Sequence, residues 1–140
     1  MVCLTYHTRI CFFYIGKNAA KRFFFCLFIH SYPVFLLGGR SGVAELAAEK
    51  QKARFPSLSV VGTHDGYFEK EGAENELVLR KINESGARIL FVCFGAPAQE
   101  KWIDENKDRL SAVLLAAGLG GSLDVYAGNV KRAPQILIKA

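Results

Sequence analysis

The sequence predicts an α/β fold: a mostly parallel sheet with helices on both faces. Three observations predict it. Short, nearly continuous apolar runs alternate with longer segments rich in Ala, Glu, Leu and Lys. The runs lack polar alternation, as strands covered on both faces require. Each run ends in glycine, which turns the chain toward the next helix. Sheets of this Rossmann-like kind have right-handed connections, and their ligands lie beyond the carboxyl ends of the strands.

The elements follow in order from Tyr32. "YPVFLLGG" (32–39) is an apolar run closed by glycines, a buried-strand signal. "SGVAELAAEKQKARF" (41–55) is a helix by composition, with Val43, Leu46 and Ala47 expected on its core face. "PSLSVVGTHDGYF" (56–68) reads as a strand and then a glycine-containing loop. "EGAENELVLRKINESG" (71–86) is a helix closed by Gly86. "ARILFVCFG" (87–95) is the strongest strand signal. "PAQEKWIDENKDRL" (97–110) is a helix with Ala98, Trp102, Ile103 and Leu110 expected against the core. "SAVLLAAGLGG" (111–121) is another buried strand. The expectation is therefore four strands alternating with three helices.

Residues 1–31 differ. They hold three of the four cysteines and six of the 11 Phe. Their longest apolar piece, Phe23–Ile29, is far shorter than the ~20 residues of a membrane-spanning helix. Basic residues and an apolar stretch are present, but no clear small-residue cleavage site of a signal peptide. The open readings are an irregular leader, a strand-rich edge, sequence foreign to the domain, or a short interfacial anchor.

With 140 residues, 51% of them hydrophobic and 22% charged, the chain has the size and composition of one globular domain. The net charge of +5 lies entirely in residues 1–44, which carry five basic residues and no acid. The remainder is neutral, so no basic nucleic-acid face is indicated. No CxxC or Cys/His ligand spacing occurs, which argues against a metal site. Cys93 reads as a small buried hydrophobe, and the cysteine pattern fits a reducing compartment.

All four strand ends carry glycine: "LLGGRSG", "VVGTHDGYF", "CFGAPAQE" and "AAGLGGSLD". Glycine is the default turn residue, yet it also lets backbone N–H groups approach a ligand. Gly38–Gly42 stands before a helix start, a phosphate-binding position, although Ser41 could cap that helix without any ligand. The segment lacks the first glycine of GxGxxG, and there is no Walker A sequence. Tyr67 and Phe68 suit either a lid over the core or a stacking surface. Gly95 ends the third run, Ala96 is the expected N-cap and Pro97 the first helical residue. Ala caps poorly, so Gln99 either reaches back to the helix start or reaches a ligand, and Glu100 complements the helix dipole. Lys131-Arg132 is an adjacent basic pair suited to a diphosphate.

"VFLLGGRSGVAELAA", "GTHDGYF", "ILFVCFGAPAQEKWI" and "GLGGSLDVYAGNVKRAP", in this order, resemble the WecG/TagA/CpsF family of bacterial glycosyltransferases. The likeness spans about residues 33–135, with G-x-P-x-Q-E-x-W and D-x-x-A-G-x-x-x-R-A-P its specific segments. It implies inverting transfer of an N-acetylmannosamine-type sugar from a UDP-sugar donor to an undecaprenyl-diphosphate-linked N-acetylglucosamine acceptor. The products would feed cell-surface polysaccharide or teichoic acid synthesis. It implies no cofactor and no metal, in keeping with the lack of a DxD-type pair. Residue by residue it carries over Gly38, Gly39, Gly66, Tyr67, Gly95, Pro97, Gln99, Glu100, Asp124 and Arg132 as donor-site positions. Gln99 would contact the donor sugar or diphosphate, and Asp124 the uridine side. It implies a cytoplasmic protein, compatible with peripheral attachment at the inner face of the membrane and with a homo-oligomer.

The departures bear on activity. Family members carry the acceptor pocket and a candidate acidic base ahead of the first glycine block, whereas residues 1–31 contain no Asp or Glu. Members also continue past R-A-P with a basic amphipathic tail. Leu123 stands where Phe is usual. The expectation is a family core at 32–140, truncated at both ends, with 1–31 outside the family domain and no assignable catalytic residue. Such a core would bind UDP-sugar and transfer poorly or not at all. Two rivals stand beside it: an NAD(P)-binding oxidoreductase using Gly38–Gly42 and Asp65, and a non-catalytic remnant.

Overall fold

The computed structural model describes residues 11–14 and 31–129. Among the described residues one all-parallel sheet is formed by β1 (Cys11–Tyr14), β2 (Val34–Gly38), β3 (Val60–His64), β4 (Ile89–Cys93) and β5 (Leu115–Gly118), in the order β1-β5-β4-β2-β3. The helices are α1 (Val43–Arg54), α2 (Gly72–Glu84), α3 (Ala98–Asn106), extended by a 3-10 turn at Lys107–Arg109, and α4 (Ser122–Ala127).

The central strands β2 and β4 are buried along their whole length, as their unbroken apolar sequences demand. Alternate residues of each strand feed two cores. Val34, Leu36, Ile89, Phe91 and Ala117 pack under α1 and α4, while Phe35, Leu37, Leu90, Val92 and Ala116 pack under α2 and α3. The Rossmann-like α/β class read from the sequence is the class observed.

Several details depart from the sequence reading. Beyond the four expected strands lies the edge strand β1, paired in parallel with β5 from Cys11↔Leu115 to Tyr14↔Gly118, which falls within the strand-rich-edge reading of residues 1–31; the short helix α4 is outside the expected elements. Leu46 is 36% exposed, because α1 meets the sheet through Val43, Ala44, Ala47 and Ala48. Those small side chains let the helix lie close, and Leu46 points off the seam. Helix α3 starts one residue later than expected: Pro97 is its N-cap, after a cis Ala96–Pro97 bond, and Ala98 its first residue. The buried face is Gln99, Trp102, Ile103 and Asn106, and Ala98 is exposed.

Two buried asparagines join α2 to α3. Trp102 Nε1–H donates to Asn75 Oδ1 at 2.8 Å, Asn75 Nδ2 donates to Asn106 Oδ1 at 2.9 Å, and Asn106 Nδ2 donates to the Trp102 carbonyl at 2.8 Å. The Trp102 indole and the two asparagine side chains drawn into the core are thereby hydrogen-bonded. On the opposite face of the sheet, Lys50 of α1 donates to the Ala127 carbonyl of the neighbouring α4 at 2.6 Å and closes its C-terminus.

Candidate functional site

The strand order fixes where a ligand can lie. From β2 the chain leaves through α1 on one face of the sheet, whereas from β4 it leaves through α3 on the other. β2 and β4 are neighbours paired from Val34↔Ile89 to Gly38↔Cys93. The covering layers therefore part at the carboxyl ends of these strands, the switch point at which doubly wound sheets bind ligands in a crevice.

The crevice floor is knitted by backbone. A Cβ on Gly38, which has φ +128°, would stand 2.6 Å from the Cys93 carbonyl oxygen, so only glycine lets β2 approach β4 there. Gly39 N–H donates to the Cys93 carbonyl at 3.3 Å, and Gly66 N–H donates to the Gly39 carbonyl at 2.9 Å. Gly38, Gly39, Gly66 and the β4 end at Cys93 are thus one cluster. Gly42, not Ser41, is the N-cap of α1, and no side chain caps that helix. Val43 N–H donates to the Arg40 carbonyl at 3.0 Å, and the first turn of α1, which follows the end of β2, has no side-chain cap.

Tyr67 and Phe68 divide. Tyr67 is 71% exposed, its N–H held by Asp65 Oδ1 at 2.9 Å. Phe68 covers the core, edge-on to Phe94, Trp102 and His64 at centroid distances of 5.8, 6.3 and 5.5 Å. Lys70 Nζ clamps this loop by donating to the Gly66 and Phe68 carbonyls at 2.6 and 2.8 Å, 3.6 Å from the Phe68 ring centre. Desolvation lowers the Lys70 pKa, with Asp65 and Glu74 pulling it back up.

Past β4, Gly95 has φ +87° and Pro97 caps α3. Gln99 is 0% exposed and both ends of its amide are engaged. Its Nε2 donates to Glu100 Oε1 at 2.9 Å, and its Oε1 accepts the Gly120 N–H at 2.9 Å. A Cβ on Gly118 would stand 2.6 Å from Gln99 Nε2, so the amide lies flat on the end of β5. Glu100 Oε2 is buried without a partner among the described residues. Asp124 sits in the first turn of α4, close enough to Cys93 for its charge to be felt there. Burial pushes the Cys93 thiol up to about 12, against the pull of backbone hydrogen bonds at Leu123 and Leu119.

Gly38, Gly39, Gly66, Tyr67, Gly95, Pro97, Gln99, Glu100 and Asp124 therefore all stand at one edge, the carboxyl ends of β2–β5. Arg132, with Lys131, lies outside the described residues, as does most of the 1–31 leader. The sequence reading did not single out Lys70, Phe94, Gly118 or Gly120. The glycines lay in the quoted "AAGLGG", and their contact with Gln99 across the fold left no local signal. No group of three His, Cys, Asp or Glu among the described residues could hold a metal ion. No described helix is long and apolar enough to cross a membrane.

These features define a doubly wound α/β protein whose topological switch point lies between β2 and β4. The chain belongs to the glycosyl transferase WecG/TagA/CpsF family, whose family model matches residues 25–140. It is similar to an N-acetylglucosaminyldiphosphoundecaprenol N-acetyl-beta-D-mannosaminyltransferase from Bacillus subtilis (strain 168), with 36% identity over 106 residues. The match covers 76% of this chain and 40% of that protein, so the chain spans about two fifths of the relative's length.

Proposed function

We propose that residues 32–140 form the nucleotide-sugar-binding core of an enzyme that transfers an N-acetylmannosamine-type sugar from a UDP-sugar. The acceptor is an undecaprenyl-diphosphate-linked N-acetylglucosamine, met at the cytoplasmic face of the membrane by peripheral association. The relative's name motivates both sugars. The observation that carries the donor site is the gathering of nine motif residues at one sheet edge, beside a helix start that no side chain caps.

In such a transfer an acceptor hydroxyl oxygen attacks the anomeric carbon as the bond to the diphosphate oxygen breaks. The hydroxyl proton passes to a base that no residue described here is assigned to supply. The α1 N-terminus suits the growing charge on the departing diphosphate. Arg132 would add a fixed positive charge. The dinucleotide alternative is not favoured. Asp65, which would hold a ribose in that reading, has a carboxylate oxygen already bound to Tyr67 N–H.

The test is thermal unfolding of the full chain with UDP, UDP-N-acetylglucosamine or NAD. A ligand at ~100 times its Kd raises stability by about 2.7 kcal/mol. Stabilisation by the uridine nucleotides is expected, and stabilisation by NAD alone refutes the proposal. A transfer assay on a soluble lipid-diphosphate-sugar then reports how much turnover this chain supports.

A further inference from the structure

Gln99 and Glu100 stand side by side at the start of α3, and the structure gives them opposite fates. The Gln99 amide is engaged inside the protein at both ends: one N–H donates to Glu100 Oε1, and its own Oε1 accepts Gly120 N–H, with the amide packed against Gly118. It bridges α3 to the β5–α4 loop across 21 positions of sequence. The Glu100 carboxylate is left half used. One oxygen is fixed by Gln99, and the other is buried with no donor among the described residues. A buried acceptor without a donor is costly and rare, and it calls for a partner.

The chemistry of that partner is constrained. A carboxylate oxygen accepts only, so the partner must present O–H or N–H. Metal binding is a poor fit, because no companion ligands gather among the described residues. The neighbouring loop is shaped for close approach. Gly121 has an ordinary φ of −78°, and no described atom lies within 4 Å of where its Cβ would be. Neither backbone strain nor packing among the described residues asks for glycine there, whereas a ligand resting against the loop would.

We infer that Glu100 is a specificity-determining residue whose free oxygen accepts a hydroxyl or amide hydrogen of the bound nucleotide-sugar, and that Gln99 is the positioning residue that aims it. The inference rests on the donor-site proposal above. It assigns Gln99 a different task from ligand contact: removing its amide would release both the Glu100 carboxylate and the Gly118–Gly121 loop.

Glu100→Gln is the discriminating variant. A glutamine keeps an oxygen to accept from Gln99 Nε2 and changes only the second, buried atom from acceptor to donor, so the fold is expected to persist. Calorimetric titration of the full chain with UDP and with UDP-N-acetylmannosamine reads the result. Loss of a hydrogen bond to a charged group weakens binding about 10- to 100-fold. Weakening of the UDP-sugar alone supports the inference with a sugar group as the donor. Equal weakening of both ligands supports it with the uridine as the source. Unchanged affinity for both in a folded Glu100→Gln protein overturns it while leaving the donor-site proposal intact. If the unaltered chain binds neither ligand, the donor-site proposal fails and takes the inference with it. Gln99→Glu completes the test by setting two carboxylates face to face. It should match the affinity loss of Glu100→Gln, and full retention of affinity would refute the positioning role.

Discussion

Replacing Gly38 by Ala tests whether the glycines at the crevice serve the fold or only a ligand. Two separable penalties apply. The first is conformational: an L-residue held at φ +128° sits in a sparsely populated region, at about 1–3 kcal/mol. The second is steric. The new methyl would stand 2.6 Å from the Cys93 carbonyl oxygen, 2.7 Å from its carbon and 3.0 Å from its Cα, where ordinary contact begins at 3.4 Å. All three are backbone atoms of the paired central strand, so no side chain can swing aside. β2 must retreat by the difference, about 0.8 Å, or β4 must deform, and overpacking of this kind costs about 1–3 kcal/mol. Gly42→Ala is the matched control, with φ +80° and nothing within 4 Å of its Cβ. It should incur the conformational penalty alone. The expected gap between the two variants is therefore about 2 kcal/mol, or roughly 8 °C in Tm for a chain of this size. Urea unfolding, with a constant slope for both variants, measures it. Losses in the two variants that agree within about 0.5 kcal/mol would refute the steric reasoning and return Gly38 to a purely ligand-facing role.

Three further outcomes are expected. Trp102→Phe removes the donor to Asn75 Oδ1 inside a closed buried network and should destabilise by about 1–3 kcal/mol, read by denaturant midpoint; a neutral effect would mean the network is slack. Burial holds the Cys93 thiol up to about 12 in the fold, against 9.0 as its ordinary value. The folded state thus keeps a proton that the unfolded chain gives up. This contribution is complete below pH 9 and is lost toward pH 12, at up to about 1.4 kcal/mol per pH unit. Unfolding curves of native and Cys93→Ala chains should converge by that slope above pH 9; parallel curves would contradict it. Lys70→Met should keep the apolar stem but lose both carbonyl contacts, raising amide exchange at Gly66–Lys70, and unchanged exchange would show that Lys70 does not hold the loop.

The fold was legible because its signal is local. Strands covered on both faces must be apolar throughout, and "VFLLG" and "ILFVC" are. The misplacements are local to the helix faces. In and just after α3, Trp102, Ile103 and Leu110 are buried as expected, but the buried stripe runs through Gln99 and Asn106 at i, i+3, i+4 and i+7 spacing. Ala98, in the first turn, lies beside that stripe and is exposed. In α1, packing through alanines left Leu46 outside, although hydropathy alone would bury it. The candidate site was legible as a set of strand ends, since topology brings them together whatever the details. The division of work within the set was not. A buried glutamine is satisfied by Glu100 beside it and by Gly120, and only the folded chain brings the second of these near.

The glycines that drew attention in the sequence are of two physical kinds, and the distinction tells where a ligand belongs. At Gly38, Gly62 and Gly118 an added Cβ would strike the protein itself: the Cys93 carbonyl, the Phe35 ring and the Gln99 amide, all within 2.6 Å. These are demanded by close packing of strand on strand and strand on side chain, and they would be needed in a protein that bound nothing. At Gly95, Gly120 and Gly121 an added Cβ would meet no described atom within 4 Å. Two of these have positive φ and serve turns, and Gly121 has neither reason. The packing glycines bring β2, β4, β5 and the Gln99 amide into contact, and that amide holds both the Glu100 carboxylate and the loop that carries Gly120 and Gly121. A substitution in the first group should lose stability first and binding as a consequence. A substitution at Gly121 should lose binding with stability nearly unchanged, and that contrast is what a crevice built by the fold and finished by a ligand requires.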